Sequence, residues 1–354
     1  MRRRVVCIGL LLLFIAQCGE QAIAQIPDRT TVRFGVLGLF HPRELEITSA
    51  MGQALLVQGL RRSLVLNGEA DKHRMLLHAS DDRILVDDEP TSTLLFSARD
   101  GSATHFQLRI SGKLQRIYEG TLEITASHGE LFAVVSMERE TAVATIVASE
   151  MPADAPIEAL KAQAVVTRSF LSAGSRHREF DFCDTTHCQY LRSPDEISSR
   201  VNAAVQATDG LVLNWHRHVI AAMYSSRCGG QTRSLQESGM RPGDGYPYYP
   251  AVCAWCRKHP TTWETRLPAG ALPPEPASES SRIARARQWG WGALPGSQFS
   301  VKQDADGTLI RGHSIGHGLG LCQFGAAGMA VEGADFRSIL AHYYPNSQLA
   351  KMPL

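Results

Sequence analysis

The chain has 354 residues, 44% of them apolar and 20% charged, with a formal net charge of +1. This composition excludes a disordered or collagen-like chain. The near-neutral balance argues against nucleic acid or an anionic membrane surface as the main partner, and no later apolar run approaches the roughly 18–20 residues of a membrane span.

The first residues read as an export signal. Met1 to Arg4 is basic, Val5 to Ala16 is apolar, and Ala22-Ile23-Ala24 supplies a small-residue cleavage site before Gln25. Loss of residues 1–24 would release a soluble periplasmic or extracellular chain, long enough for one large domain or two ordinary ones. The alternative, a lipid anchor on Cys18, is disfavoured because Gln17 stands where a lipoprotein box needs a small residue. Of eight cysteines, Cys7 and Cys18 fall in the leader; the others are Cys183, Cys188, Cys228, Cys253, Cys256 and Cys322. An oxidising compartment makes disulfides the default. Two spacings suit a metal as well: Cys183 and Cys188 enclose a histidine, and Cys253-x-x-Cys256 is a knuckle.

Residues 30–145 read as strands. Thr31 to Val36 alternates, and Leu45–Ile47, Leu55–Val57, Leu64–Leu66, Phe106–Ile110 and Thr121–Thr125 are short, β-prone and often separated by Gly, Asn or Asp. The texture changes at Pro152. Pro156 suits a first helical turn, and Ile157 to Leu171 runs without Gly or Pro. At about 100° per residue, Glu158, Lys161, Arg168 and Ser169 share one side, a polar strip expected to meet a cleft or the solvent. Arg200 to Thr208 suits a short helix; Leu211–Leu213 and Val219–Tyr224 suit strands. Residues 266–300, with Pro268, Pro273, Pro274, Pro276 and Pro295, read as a loop or insertion with a short helix at Ser281 to Gln288. The end is Gly-rich from Gly312 to Gly328, then helical from about Asp335 to Tyr343.

Four constellations carry chemistry. In Val147-Ala148-Ser149-Glu150-Met151-Pro152, Glu150 follows a strand-like apolar run and precedes a Pro-marked turn; weakly polar neighbours would raise its pKa, as a proton donor at neutral pH requires. The competing reading is a glutamate favouring a helix start. In His177-x5-Cys183-Asp184-Thr185-Thr186-His187-Cys188, two thiolates and two imidazoles suit a closed zinc site, against a Cys183–Cys188 disulfide or surface histidines. Tyr224-Ser225-Ser226-Arg227-Cys228-Gly229-Gly230 ends a strand in hydroxyls and glycines, so the backbone can approach a ligand or simply turn. Gly312 to Gly328 leaves His317 and Gln323 unobstructed for polar recognition; its glycines lack the βαβ context of a nucleotide fingerprint. Ser314 matches G-x-S-x-G literally, but more glycines follow where a nucleophile elbow needs a helix.

Taken in order, "VASEMPADAPIEALKAQAVVTRSF", "FDFCDTTHCQYL", "YSSRCGGQT" and "GHSIGHGLGLCQFGAAGMAVEGADFRSILAHYYPN" resemble the SpoIID/LytB family, the sporulation stage II protein D and amidase-enhancer group. The resemblance covers roughly residues 118–347 and implies an α+β fold: a β-rich N-terminal region (25–117), then a mixed α/β SpoIID-type catalytic domain (118–347) with a substrate cleft. It implies a lytic transglycosylase acting on peptidoglycan glycan strands stripped of stem peptides. Glu150 falls on the family's catalytic glutamate, and Cys183, His187 and Cys188 fall on its zinc segment with His177 compatible as fourth ligand. Arg168, Ser226, His317 and Gln323 fall in motifs bordering the cleft. The implied cofactor is structural zinc, and the implied partners are glycan strands and, in the rival reading of a non-cutting enhancer, a cell-wall amidase. Cys228, Cys253, Cys256 and Cys322 depart from the sporulation-type pattern. They suit either a second zinc or two disulfides.

Overall fold

The computed structural model describes residues 30–67, 74–185, 187–241, 243–268, 284–285, 288–290 and 292–352. The leader, with Cys7 and Cys18, and most of the helix expected at 281–288 lie outside these residues. No helix among the described residues is long and apolar enough to cross a membrane.

Alternation in the first third of the chain folds into a curled twelve-stranded sheet. In Thr104–Ile110, Phe106, Leu108 and Ile110 turn inward; in Arg74–Ser80, Met75 and Leu77 do. Each such side chain contributes roughly 1.5–3 kcal/mol on burial. The curl centres on the long strand Leu114–Ser127. Its first half pairs with Thr104–Ile110, and its second half with both Glu130–Glu138 and Thr93–Ser97. Gly120 stands between the halves at φ 151, where a Cβ would collide with the Ser136 carbonyl oxygen. A boundary at residue 118 therefore falls inside one strand, and a single hydrophobic cluster runs from Val32 in the sheet to Tyr344 near the end of the chain.

The strand reading ends too late. Arg139–Glu150 is a helix, α1, capped by the Glu138 carboxylate, which accepts from the Thr141 N–H at 2.9 Å. Every residue from Ala142 to Ala148 is buried, and an apolar run buried all round has no face by which its periodicity can be told from that of a strand. Glu150 is thus the last residue of a helix, and not the end of a strand or the start of a helix.

Ile157–Ser172 forms α2, with Pro156 just ahead of its first turn. Its expected polar strip divides. Glu158 and Lys161 pair at 2.7 Å near the surface, whereas Arg168 and Ser169 are fully buried. Ser199–Ala207 (α3) is capped by the Ser198 side chain, and Leu211–Trp215 pairs with Gln348–Lys351. Leu235–Ser238 (α4) and Ala254–Lys258 (α5) are short. Within the Gly-rich stretch, Gln323–Val331 is helical (α6), a helix the glycine content concealed, and Phe336–Tyr343 follows as α7. Strands Trp263–Leu267, Gly307–Gly312 and Phe299–Asp304 make a small sheet with its own core of Leu267, Ala293, Leu294 and Ile310.

Candidate active site and metal centres

The C-terminus of α1, the loop after α2, the turn at 224–228 and the start of α6 converge on a cleft of about 260 Å³. Glu150, Cys188, Tyr224, Ser226, His317 and Gln323 are among the residues lining it. A larger groove of about 900 Å³, lined in part by Arg33, Arg139, Asp181 and Arg217, gathers none of the candidate catalytic, sugar-binding or metal residues.

Glu150 Oε1 accepts from the Tyr190 backbone N–H at 3.3 Å. The Gln323 amide nitrogen donates to the Glu150 carbonyl at 3.1 Å and to Gln163 Oε1 at 3.4 Å. Burial raises the Glu150 carboxyl pKa above its ordinary value, and hydrogen bonding from Tyr190, Gln323 and Tyr224 offsets only part of this. Its position at a helix C-terminus acts in the same direction as burial, because the negative end of the macrodipole disfavours a carboxylate. Tyr224 lies beside it with its phenol pushed well above the usual value, first by burial and then by the charge of Glu150. The Tyr224 hydroxyl is buried, a polar group held next to the carboxyl.

Ser226 and Gln323 are held together: the Phe324 N–H donates to the Ser226 carbonyl at 3.1 Å, and Tyr224–Ser225 pairs in parallel with Leu321–Cys322. Gly316 (φ 89) lets the facing loop approach, since a Cβ there would stand 3.0 Å from that of Ser225. His317 Nδ1 accepts from the Leu319 N–H at 3.0 Å, which fixes the ring's orientation at the cleft. Ser314 is fully buried, its hydroxyl accepting from the Gln298 N–H at 3.2 Å, and does not line the cleft.

Arg168 requires a correction. It does not border the cleft; it is fully buried, its guanidinium forking onto Glu140 of α1 at 2.7 and 2.6 Å and donating to the Leu211 carbonyl at 3.1 Å. The pair locks α2 to α1, the helix that ends in Glu150. Removing one partner of a buried, hydrogen-bonded ion pair typically costs about 3–5 kcal/mol. Arg168→Ala is expected to lower stability by an amount of that order in a denaturant titration. A rise in KM at unchanged stability would instead return Arg168 to substrate binding.

His177, Cys183, His187 and Cys188 each present a ligand atom, and these atoms lie within 4.8 Å of one another. Cys188 Sγ is 3.4 Å from both His177 Nε2 and His187 Nδ1, and Cys183 Sγ is 3.8 Å from His187 Nδ1. Two sulfurs and two imidazole nitrogens at this spacing fit a tetrahedral divalent ion. The loop is fastened to the sheet: Phe182–Cys183 pairs in parallel with Phe34–Gly35, and the Leu37 N–H donates to Asp184 Oδ2 at 3.1 Å. Burial lifts the Asp184 carboxyl to about 6. Tyr190, two residues beyond Cys188, donates the N–H that holds Glu150. Cys228, Cys253, Cys256 and Cys322 form a second cluster of the same compactness, wholly buried.

The sequence alone does not mark Tyr190, Tyr224, Gln163 or Glu140 as site residues. Tyr190 acts through its backbone, which side-chain identity does not reveal, and nothing in the sequence around Tyr224 indicates its proximity to Glu150.

The family model described as Stage II sporulation protein (SpoIID) matches residues 127–215, from the end of the long strand through α1, α2 and the His/Cys loop to Trp215. An uncharacterised protein of Brachyspira hyodysenteriae is 27% identical over 262 residues, 64% of this chain and 70% of that one. Stage II sporulation protein D of Bacillus subtilis is 25% identical over 264 residues, covering 62% and 76% respectively. The amidase enhancer of Bacillus subtilis is 23% identical over 287 residues, 58% of this chain but 39% of that protein. The motifs, their convergence on one cleft and these matches agree: residues 127–215 match the SpoIID family, and the chain is similar to stage II sporulation protein D and to an amidase enhancer.

Proposed function

We propose that this protein is an exported peptidoglycan lytic transglycosylase, with Glu150 as its acid and base, cutting between N-acetylmuramic acid and N-acetylglucosamine in denuded glycan strands. The likeness to stage II sporulation protein D and to an amidase enhancer supports a cell-wall related role. The observation that carries the finer reading is a carboxyl with a raised pKa at the end of α1, facing the cleft formed by all four motifs.

The chemistry asks little more of the protein. Protonated Glu150 donates to the glycosidic oxygen, and the bond opens through an oxocarbenium-like state. The ionised carboxylate then takes the proton of the muramic C6 hydroxyl as that oxygen closes on C1. Closure within one sugar is favoured by proximity and needs neither a water nor a second carboxylate. Glu150 is the single carboxylate lining the cleft among the described residues, which suits this route better than the two-carboxylate arrangement of ordinary glycosidases. Ser226, His317 and Gln323 offer polar groups for the sugars' acetamido and hydroxyl substituents. His177, Cys183, His187 and Cys188 would hold zinc, whose contribution when bound is to stiffen the loop that leads to Tyr190.

The rival reading, a module that binds glycan and stimulates a cell-wall amidase without cutting, draws on the relative named amidase enhancer. Digestion of amidase-treated sacculi followed by muropeptide mass analysis separates the two. 1,6-Anhydromuramic ends are expected from the transglycosylase; reducing ends would mean a hydrolase, and glycan binding with no new ends would mean the module.

The raised carboxyl also sets the pH dependence. Bond opening needs Glu150 protonated, so activity should fall as pH rises through its folded-state pKa, which burial holds above the ordinary glutamate value. Stability follows with the same sign: the folded state binds this proton more tightly than the unfolded one. That contribution is complete below the unfolded pKa and is lost as pH rises through the folded value. Glu150→Gln is therefore expected to gain stability relative to wild type as pH rises. Thermal unfolding across pH 4–9 checks this; curves that stay parallel would remove the raised pKa.

A further inference from the structure

Four cysteines outside the His/Cys loop meet at one point. The sulfurs of Cys228, Cys253, Cys256 and Cys322 all lie within 4.8 Å of one another, and the residues are at most 3% exposed. Two disulfides would need only pairwise approach at about 2.05 Å. A tetrahedron of thiolates about 2.3 Å from a central ion sets every sulfur about 3.8 Å from the other three, and Cys256 Sγ and Cys322 Sγ stand 3.5 Å apart. All four are free cysteines.

The surroundings suit thiolates. The N–H groups of Cys228 and Gly325 donate to Cys322 Sγ at 3.4 and 3.3 Å, and the Tyr343 hydroxyl donates to Cys253 Sγ at 3.6 Å. Donors aimed at sulfur orient and steady metal-bound thiolates. Gly325 keeps the space open: a Cβ there would stand 2.5 Å from Cys253 Sγ and 3.4 Å from Cys322 Sγ. Cys253 and Cys256 form a C-x-x-C knuckle at the start of α5, and the Cys253 N–H donates to the Gly230 carbonyl at 3.0 Å, which ties the knuckle to the turn carrying Cys228.

We propose that Cys228, Cys253, Cys256 and Cys322 form a second, closed tetrathiolate zinc site that clamps the wall of the cleft. Its ligands come from three segments. Cys228 lies two residues beyond Ser226, Cys322 immediately precedes Gln323, and the 253–256 knuckle bridges them. The ion fixes the spacing of Ser226 and Gln323, and through Gln323 the carbonyl of Glu150. Zinc suits the setting because it is redox-inert, and thiolates bound to it resist oxidation after export. The inference rests on the thiols and holds whether or not the cleft cuts glycan.

Metal analysis of the purified chain is expected to find two zinc ions per molecule. Cys253→Ser should retain one and Cys188→Ser should retain the other. Alkylation after denaturation in chelator without reductant should label all of Cys183, Cys188, Cys228, Cys253, Cys256 and Cys322, a measurement on wild type that requires no variant to fold. Cobalt substitution should give the absorption of an all-sulfur tetrahedral site that survives Cys188→Ser. A single zinc lost with Cys188→Ser, together with label on Cys183 and Cys188 alone, would overturn the site in favour of two disulfides. Iron in place of zinc would overturn the zinc assignment. A single zinc lost with Cys253→Ser but kept in Cys188→Ser would uphold this site and remove the metal from the His177 cluster.

Discussion

Glu150→Gln is expected to reduce the formation of anhydromuramic ends by at least about 10²-fold, and by up to about 10⁴-fold if the group serves both steps. In barrier terms that is roughly 2.7–5.5 kcal/mol. The substitution is close to isosteric, and the amide oxygen can keep the Tyr190 N–H that now reaches Oε1 at 3.3 Å. What is lost is the proton: an amide neither donates to the leaving oxygen as an acid nor accepts from the C6 hydroxyl as a base. Binding should survive, because Ser226, His317 and Gln323, the proposed sugar contacts, line the cleft unchanged. The measurement pairs end-group analysis with a pull-down on denuded glycan, using wild type and variant in parallel. Ends formed at an undiminished rate by the variant would take the reaction away from Glu150. Loss of binding and ends together would make Glu150 a glycan contact and no longer the proton carrier.

The candidate site was legible where chemistry is concentrated in a few consecutive residues. Alone, Glu150 near Pro152 suits a helix terminus as well as an acid, and two thiols enclosing a histidine suit a disulfide as well as zinc; it is the order of the four segments and the family they resemble that marks these residues as a site. The strand alternation was legible on its own: Thr31–Val36 and Thr104–Ile110 bury one face and leave the other partly wet. Arg168 was misread because the partner that buries it, Glu140, is 28 residues away on another helix, and a helical wheel does not say what lies opposite each face. Helix α1 was read as strand because its apolar residues leave no solvent-facing side. The mistake mattered, since it hid the helix terminus that helps hold the Glu150 proton. Gln163 illustrates a third limit. It is wholly buried on α2, and its role depends on Gln323, 160 residues onward, donating to it.

With zinc proposed at the His177 cluster, Cys188→Ser is expected to abolish its binding and to lower stability and activity together. A structural zinc bound by cysteine and histidine contributes on the order of 10–16 kcal/mol of apparent binding free energy at neutral pH. Little of that loss need unfold the whole chain, because the loop is also fastened through Phe182–Cys183 on the sheet edge and by Asp184 on the Leu37 N–H. The damage should concentrate between Cys188 and Tyr190, where the chain passes from the proposed metal ligand to the N–H that holds Glu150 within two residues. Without the ion, Cys188 is held by its backbone bond to the Thr185 carbonyl at 2.9 Å, and the Tyr190 N–H is no longer fixed against the carboxyl. Because that N–H favours the ionised form of Glu150, its release should push the carboxyl pKa higher and move the alkaline limb of the activity profile upward. Metal analysis, thermal unfolding and a pH–rate profile on the same preparation read the three effects. Unchanged zinc content would exclude Cys188 as a ligand, and lost zinc with an unmoved profile would break the link from the ion through Tyr190 to the acid.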